Sequence, residues 1–200
     1  MKKYITGLAL IILIGHASIG YTQDIYNIKN TKDVEIKING TSTLHDWEMN
    51  TKNATGVAQF IFKSVNENEL TSLESLTFTI KVKDFKSDSK GLYKNAYKAL
   101  KANMDKKIYY ELSSSTRFPE KGGYLLHANG KLTIAWITKD MIMDVHIIVN
   151  ENGTIACKGS YKLNMTDYNV DPPSFLLGAM KTGDAITIGF DVIYIKQNGS

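Results

Sequence analysis

The sequence is short of cysteine, of net charge and of apolar runs, and each shortage excludes a class of protein. Cys157 is the one cysteine, so the chain has no intramolecular disulfide and no cysteine-rich zinc site. The formal charge is +4 and falls to +2 without Lys2 and Lys3, too little for a surface that follows a phosphate backbone. With 43% hydrophobic and 22% charged residues, the chain is not disordered, collagen-like or a polytopic membrane protein. We therefore expect no nucleic-acid partner.

The N-terminus has the three parts of a secretory signal peptide. Lys2 and Lys3 are followed by an apolar run from Tyr4 to Gly15, and small residues at 17–20 supply a cleavage region. The apolar run is well short of the ~20 residues of a membrane-spanning helix, although an uncleaved anchor helix is the alternative. We expect a signal peptide at 1–22, one domain at 23–200, and a periplasmic or secreted mature protein.

The remainder of the chain alternates apolar and polar residues with period two. One apolar face per stretch is typical of antiparallel strands, since buried parallel strands are apolar on both faces. Eight or nine such strands predict an all-β domain, either a barrel or a sandwich. The alternating stretches begin at Val34, Ala58, Leu76, Ile108, Leu132, Met141, Ile155 and Ile186. The predicted turns are Lys121–Gly123, Asn129–Gly130, Asn152–Gly153 and Gly183–Asp184.

One segment has helical periodicity instead. From Gly91 to Lys101, four apolar residues fall on one helical face and three lysines on another. Asp88 or Ser89 can cap its start. We expect one short amphipathic helix that covers an opening or packs across one end of a barrel.

The predicted inward faces are rich in aromatic residues, Met and Ile. An eight-stranded barrel is near the width at which its interior is either filled by side chains or holds one small ligand. The pattern shows which way side chains point and not whether they meet. The sequence pattern is therefore compatible both with a hollow barrel and with a solid core.

Four ordered blocks of the sequence resemble the YceI-like family of bacterial exported proteins. The first is Gly40–Glu48, which contains TSTLHDW, and the others are Phe78–Asn103, Lys131–Asp144 and Gly159–Phe190. Together they cover essentially the whole mature chain. The resemblance implies an extended, lipocalin-like, eight-stranded antiparallel barrel with an elongated apolar pore. It also implies that the pore holds a polyisoprenoid or a related amphiphilic lipid.

The leading hypothesis is a non-catalytic carrier that sequesters such a lipid. Each buried CH₂ group of the ligand contributes ~0.8 kcal/mol, so apolar walls alone supply affinity. We expect the head group to lie at a mouth formed by His45 and the helix that carries Tyr93 and Tyr97, with Trp47 anchoring the loop beside it. The residues expected against the tail are Phe60, Phe78, Ile80, Trp136 and Phe190.

Two other hypotheses stay open. A small enzyme could use His45 as a base oriented by Asp46, or a solid-core module could bind a partner through its lysine-rich face. That face, formed by lysines between Lys81 and Lys101, is also compatible with transient contact with an anionic membrane surface. No histidines have metal-ligand spacing, so we expect no metal and no cofactor. A homodimer is neither predicted nor excluded.

Overall fold

The computed structural model describes residues 21–29, 34–63, 66–104, 107–175 and 180–197. Almost all of the regular structure in these ranges is strand. The strands are β1 (Tyr21–Ile28), β2 (Glu35–Ser42), β3 (Trp47–Thr51), β4 (Thr55–Lys63), β5 (Asn66–Lys81), β6 (Lys107–Glu120), β7 (Gly123–Ile134), β8 (Ile137–Val149), β9 (Ile155–Asn164), β10 (Ser174–Phe175) and β11 (Met180–Lys196). One helix, α1, runs from Lys90 to Ala99, and 3₁₀ turns lie at Val82–Asp84 and Met165–Tyr168.

Eight of these strands close into a ring in which every neighbouring pair is antiparallel. The order around the ring is β1, β4, β5, β6, β7, β8, β9, β11, and β11 returns to β1 by pairing Tyr194 with Ile28. The hairpin of β2 and β3 continues the sheet along the edge of β11, where Ile38 pairs with Ile188. The predicted eight-stranded antiparallel barrel is therefore confirmed.

The period-two pattern places the apolar residues inside the ring. On β6, Ile108 and Tyr110 are buried while Lys107 and Glu111 are exposed. Cys157 on β9 is likewise buried, with 4% of its surface exposed. One dry face and one wet face per strand produce a barrel with an apolar interior.

The helix confirms its prediction closely. Ser89 is the N-cap, and its side chain accepts a hydrogen bond from the backbone N–H of Leu92. The helix packs its apolar face against one end of the barrel, yet none of its residues is fully buried. No helix in the described ranges is long and apolar enough to cross a membrane.

Two of the four predicted turns are wrong. Lys121–Gly123 and Asn152–Gly153 do form turns, with Gly122 and Gly153 at φ of 84° and 75°. Asn129–Gly130, however, lies within β7, where the ring of Tyr110 covers Gly130. Gly183–Asp184 lies within β11, in an irregular stretch of its pairing with β2. In both strands glycine makes room for a neighbouring side chain or a bulge and does not reverse the chain.

Most of the predicted signal peptide, residues 1–20, lies outside the described residues. Its last two positions, Tyr21 and Thr22, are the first residues of β1. They pair with Lys63 and Phe62 of β4.

Candidate functional site

The barrel interior contains two adjoining cavities. The inner cavity has a volume of about 100 Å³ and is lined by Phe78, Ile80, Tyr110, Ala128, Phe190 and Tyr194, among other apolar residues. The outer cavity, beneath α1, has a volume of about 70 Å³ and is lined by Trp47, Leu92, Ala96, Tyr97, Met165 and Tyr168, among others. Four side chains line both cavities and mark their junction: Ile38, Phe85, Ile108 and Ile188.

The lining of both cavities is almost entirely apolar. No Asp, Glu, Lys, Arg or His is among the described residues that line either one. A cavity needs only about 10–15 Å³ to hold one water-sized group. The two cavities together therefore have room for roughly a dozen such groups. The described interior therefore suits an extended, uncharged chain of atoms.

The position of Phe85 at the junction depends on the segment between β5 and α1. The 3₁₀ turn at Val82–Asp84 ends the strand, and Phe85 follows it with 1% of its surface exposed. Two backbone hydrogen bonds of 2.8 Å then join Lys86 to Asn50 of β3. This clamp closes the gap between β3 and β5 and turns the Phe85 ring inward.

An aromatic cluster closes the barrel beyond the inner cavity. Phe60 makes edge-on contacts with Tyr26 and Tyr194, at centroid distances of 5.3 and 5.9 Å. Phe62 packs on Tyr26 at 6.2 Å, and no ring of the four exceeds 4% exposure. Tyr194 lines the inner cavity and the other three rings do not. This end of the barrel is a packed core.

The opposite end carries α1 and a group of polar contacts. The ammonium of Lys86 lies 5.3 Å from the ring centroid of Tyr93 and 5.6 Å from that of Tyr97. It also donates a 3.2 Å hydrogen bond to the Tyr97 hydroxyl, which lies 2.8 Å from the carbonyl oxygen of Lys83. The rim above the outer cavity thus has one cation held between two aromatic rings.

The loop between β2 and β3 lies at the same end. Ser42 holds its turn, because the Ser42 hydroxyl oxygen accepts from the backbone N–H groups of Leu44 and His45. His45 is exposed, and its Nδ1 lies 2.7 Å from the backbone carbonyl oxygen of Asp46. The carboxylate of Asp46 is not the partner in that bond. Trp47 does anchor the loop, since its Nε1 donates to the carbonyl oxygen of Thr41 at 3.0 Å.

The buried thiol and phenols of the interior are in their neutral forms. Burial, with a smaller contribution from Asp191, raises the pKa of Cys157 to about 12. Burial also raises the pKa of Tyr110 and of Tyr168 to about 12, and it raises the pKa of Tyr194 well above its ordinary value. A thiol in this environment is a small hydrophobic group and not an activated nucleophile.

The remaining described histidines face outward and pair with carboxylates. His127 contacts Asp144, and His146 lies 2.9 Å from Glu120. Within the described ranges no three His, Cys, Asp or Glu side chains are grouped so as to hold a metal ion.

The structure brings together five of the nine predicted site residues. Phe78, Ile80 and Phe190 line the inner cavity, with the rings of Phe78 and Phe190 6.4 Å apart. Trp47 and Tyr97 line the outer cavity. Tyr93 and His45 lie at the rim outside both linings, and whether they contact a ligand stays a prediction.

Two predicted tail contacts are elsewhere. Phe60 points inward as expected but is enclosed in the aromatic cluster. The prediction that Trp136 points inward is wrong, because β7 ends at Ile134 and Trp136 is the second residue of a two-residue turn. It is 51% exposed, with the ammonium of Lys101 5.9 Å from its ring.

Sequence reasoning also missed two central residues. Tyr110 had a signal, because it shares the apolar face of β6 with Ile108. Phe85 had none, because it stands outside every strand and helix and is brought inward by its pairing neighbour, Lys86.

The fold and interior define a closed antiparallel barrel with an elongated apolar cavity, covered at one end by a helix. The family model described as YceI-like domain matches residues 26–194, and the chain belongs to this family. No match was found among curated proteins.

Solved structures share the fold at low sequence identity. The Burkholderia cenocepacia protein BcnA is 17% identical, with a TM-score of 0.64 over 83% of this chain and 98% of that one. A polyisoprenoid-binding domain from Saccharophagus degradans, implicated in plant cell wall breakdown, is 7% identical, with a TM-score of 0.64 over 86% and 98% of the two chains. The Campylobacter jejuni YceI protein is 16% identical, with a TM-score of 0.55 over the full length of both.

Proposed function

We propose that this protein is an exported, non-catalytic carrier that sequesters a polyisoprenoid or similar long-chain amphiphile in its barrel. The observation that carries the proposal is the pair of joined, uncharged cavities running from α1 to Tyr194. Family membership and the polyisoprenoid-binding domain of the same fold support it. Each CH₂ buried in such a cavity contributes ~0.8 kcal/mol, so a dozen of them are enough for tight binding.

The ligand enters at the α1 end. The other end is filled by the aromatic cluster, whereas every residue of α1 keeps some exposure. A helix held by partial burial opens at a lower free-energy cost than a closed ring of strands. A charged head group, where the ligand has one, stays at the rim beside Lys86, Tyr93, Tyr97 and His45.

Export rests on the leader. Cleavage after Gly20 fits, since Ser18 and Gly20 supply the small residues that signal peptidase requires. It also leaves β1 complete from Tyr21. We place the mature protein in the periplasm or outside the cell on this basis.

The site geometry favours carriage over catalysis. A base oriented by a carboxylate needs a hydrogen bond between the two side chains, but His45 is bonded to the backbone carbonyl of Asp46. His45 also stands outside the linings of both cavities, so an enclosed substrate tail does not reach it.

The test is organic extraction of the protein purified from its native host, followed by mass spectrometry. The matched variant is Ala128→Leu, which adds a larger side chain to the inner cavity at a residue now 2% exposed. We expect a long-chain amphiphile in the wild-type extract at near-stoichiometric amount and a several-fold lower yield from Ala128→Leu. Clean extracts from both proteins, together with no uptake of alkyl-chain dyes, contradict the proposal.

A further inference from the structure

One polar atom in the wall of the inner cavity has no partner. Tyr110 has 5% of its surface exposed, and its hydroxyl oxygen is closed off from solvent and makes no hydrogen bond in the structure. Thr71 is the other residue in the described ranges with such a buried oxygen, but it lines neither cavity. Tyr110 lines the inner cavity, and its hydroxyl, packed against Gly130, is an unused donor.

The position of this hydroxyl is set by its neighbours. Tyr110 is one inward position beyond Ile108, which lines the junction of the two cavities, so it stands about 7 Å further into the barrel. The tip of its ring lies over the backbone of Gly130, and any side chain there would collide with it. The ring of Tyr110 therefore packs against the wall at Gly130, in the part of the inner cavity that lies next to the junction.

A buried hydroxyl without a partner destabilises the unliganded protein, because it has lost its hydrogen bonds to water. Burial raises the pKa of Tyr110 to about 12, so the group keeps its proton and acts as a donor at ordinary pH. An acceptor brought in by a ligand would remove the cost. A charged acceptor does not fit, since none of the described residues that line the cavities has a cationic side chain to offset its desolvation.

We infer that Tyr110 donates a hydrogen bond to an uncharged oxygen of the ligand, such as a carbonyl, ester or ether oxygen. This inference rests on the proposed carrier function and narrows its ligand class to an oxygenated chain instead of a plain hydrocarbon. An amphiphile whose one polar group is a neutral oxygen enters with that group first and leaves its tail in the outer cavity.

The test compares n-dodecane with 2-dodecanone, two chains that differ in one ketone oxygen. Affinities are measured by displacement of a fluorescent apolar dye from wild type, Tyr110→Phe and the control Tyr109→Phe, the neighbouring tyrosine on β6, which lines neither cavity. We expect Tyr110→Phe to lower the affinity for 2-dodecanone about five- to tenfold, which is the effect of losing one buried hydrogen bond. Binding of n-dodecane to Tyr110→Phe is expected to be unchanged, and Tyr109→Phe is expected to match wild type with both ligands.

Thermal unfolding gives a second measurement. Tyr110→Phe removes the unpaired hydroxyl, so the unliganded variant is expected to unfold at the same temperature as wild type or higher. Equal loss of affinity for both ligands, loss for neither, the same selective loss in Tyr109→Phe, or a lower unfolding temperature of Tyr110→Phe overturns the assignment of Tyr110 alone. Failure of wild type to bind either ligand overturns the carrier function itself, and this inference with it.

Discussion

The indole of Trp47 lies directly over the backbone of Gly40, its partner across the β2–β3 pairing. The indole N–H fixes this arrangement by donating to the carbonyl oxygen of Thr41. The same ring lines the outer cavity. A side chain at position 40 is therefore incompatible with the wall of the cavity as it stands.

Gly40→Ala is expected to destabilise the protein by about 1–3 kcal/mol, because the new methyl group displaces the indole and overpacks the wall. The matched control is Gly189→Ala on β11, where an added Cβ has no neighbour within 4 Å. The control is expected to be neutral or slightly stabilising. Urea unfolding of both variants checks this, and equal midpoints would show that Trp47 moves without cost.

A larger side chain should be tolerated in the hollow part of the barrel and should destabilise the packed part. Ala128 lines the inner cavity, whereas Ala58 is fully buried and lines neither cavity. We expect Ala128→Leu to leave the free energy of unfolding within about 1 kcal/mol of wild type and Ala58→Leu to lower it by about 1–3 kcal/mol. Urea unfolding of the delipidated proteins measures both. Similar losses would mean that the inner cavity collapses around its contents.

The turn between β7 and β8 has two residues with positive φ that are not glycine. Ala135 and Trp136 have φ of 47° and 66°, the geometry of a type I′ hairpin turn. Because side chains disfavour this region, Ala135→Gly is expected to stabilise the protein by about 0.5–1 kcal/mol. The converse change, Gly122→Ala at φ 84° in an open turn, should cost about 1 kcal/mol. Thermal unfolding that ranks the two variants in the reverse order contradicts the explanation.

Asp184 holds the 3₁₀ turn beside the outer cavity. Its carboxylate accepts from the hydroxyl of Thr166 at 2.6 Å and from the Thr166 backbone N–H at 2.9 Å, and these bonds lower its pKa. A lowered pKa means that the stabilisation is present above the unfolded pKa and is lost as the pH falls through the folded value.

Asp184→Asn is therefore expected to be less stable than wild type near neutral pH, and the difference is expected to shrink as the pH falls through the lowered folded pKa of Asp184. Urea midpoints across this range measure the difference. The surface variant Asp140→Asn, which removes an exposed ion pair with Lys131, serves as control. A deficit in Asp184→Asn that stays constant with pH would show that the charge of the carboxylate is unimportant.

The leader makes a prediction about the mature chain. Cleavage C-terminal to Tyr21 would shorten β1 and remove the residue that pairs with Lys63. We therefore expect secreted material to begin at Tyr21. N-terminal sequencing measures the start. A chain that begins at Met1 contradicts export by cleavage, and one that begins several residues beyond Thr22 contradicts the role of β1 in closing the ring.

The barrel could be predicted where alternation is regular. On β8 and β9 the inward residues follow one another without interruption, and the start of α1 follows from the Ser89 cap. On β6 the alternation is regular only up to Leu112, because the pairing with β7 shifts register between Leu112 and Ser114. β5 was recognised only in its second half, because its pairing with β4 shifts register near Phe60 and Phe62 and breaks the period. The first strand was missed, since it begins inside the predicted signal peptide.

The site was less predictable because it depends on contacts between distant segments. Alternation placed Phe60 and Phe78 on inward faces alike, but Phe60 meets Tyr26 and Tyr194 while Phe78 borders empty space. Alternation also predicted an inward Trp136, which lies two residues past the end of β7. The period of the sequence predicts the direction of each side chain, whereas an empty cavity depends on how the side chains pack together in the folded barrel.

In the described part of the barrel, the aromatic cluster beyond Tyr194 closes one end, so the proposed carrier opens at the α1 end alone. An incoming molecule has no route by which to push the resident one out from behind, so the resident must leave before another is taken up. Exchange between two lipids should then follow first-order kinetics, at a rate fixed by departure of the first and independent of how much of the second is supplied.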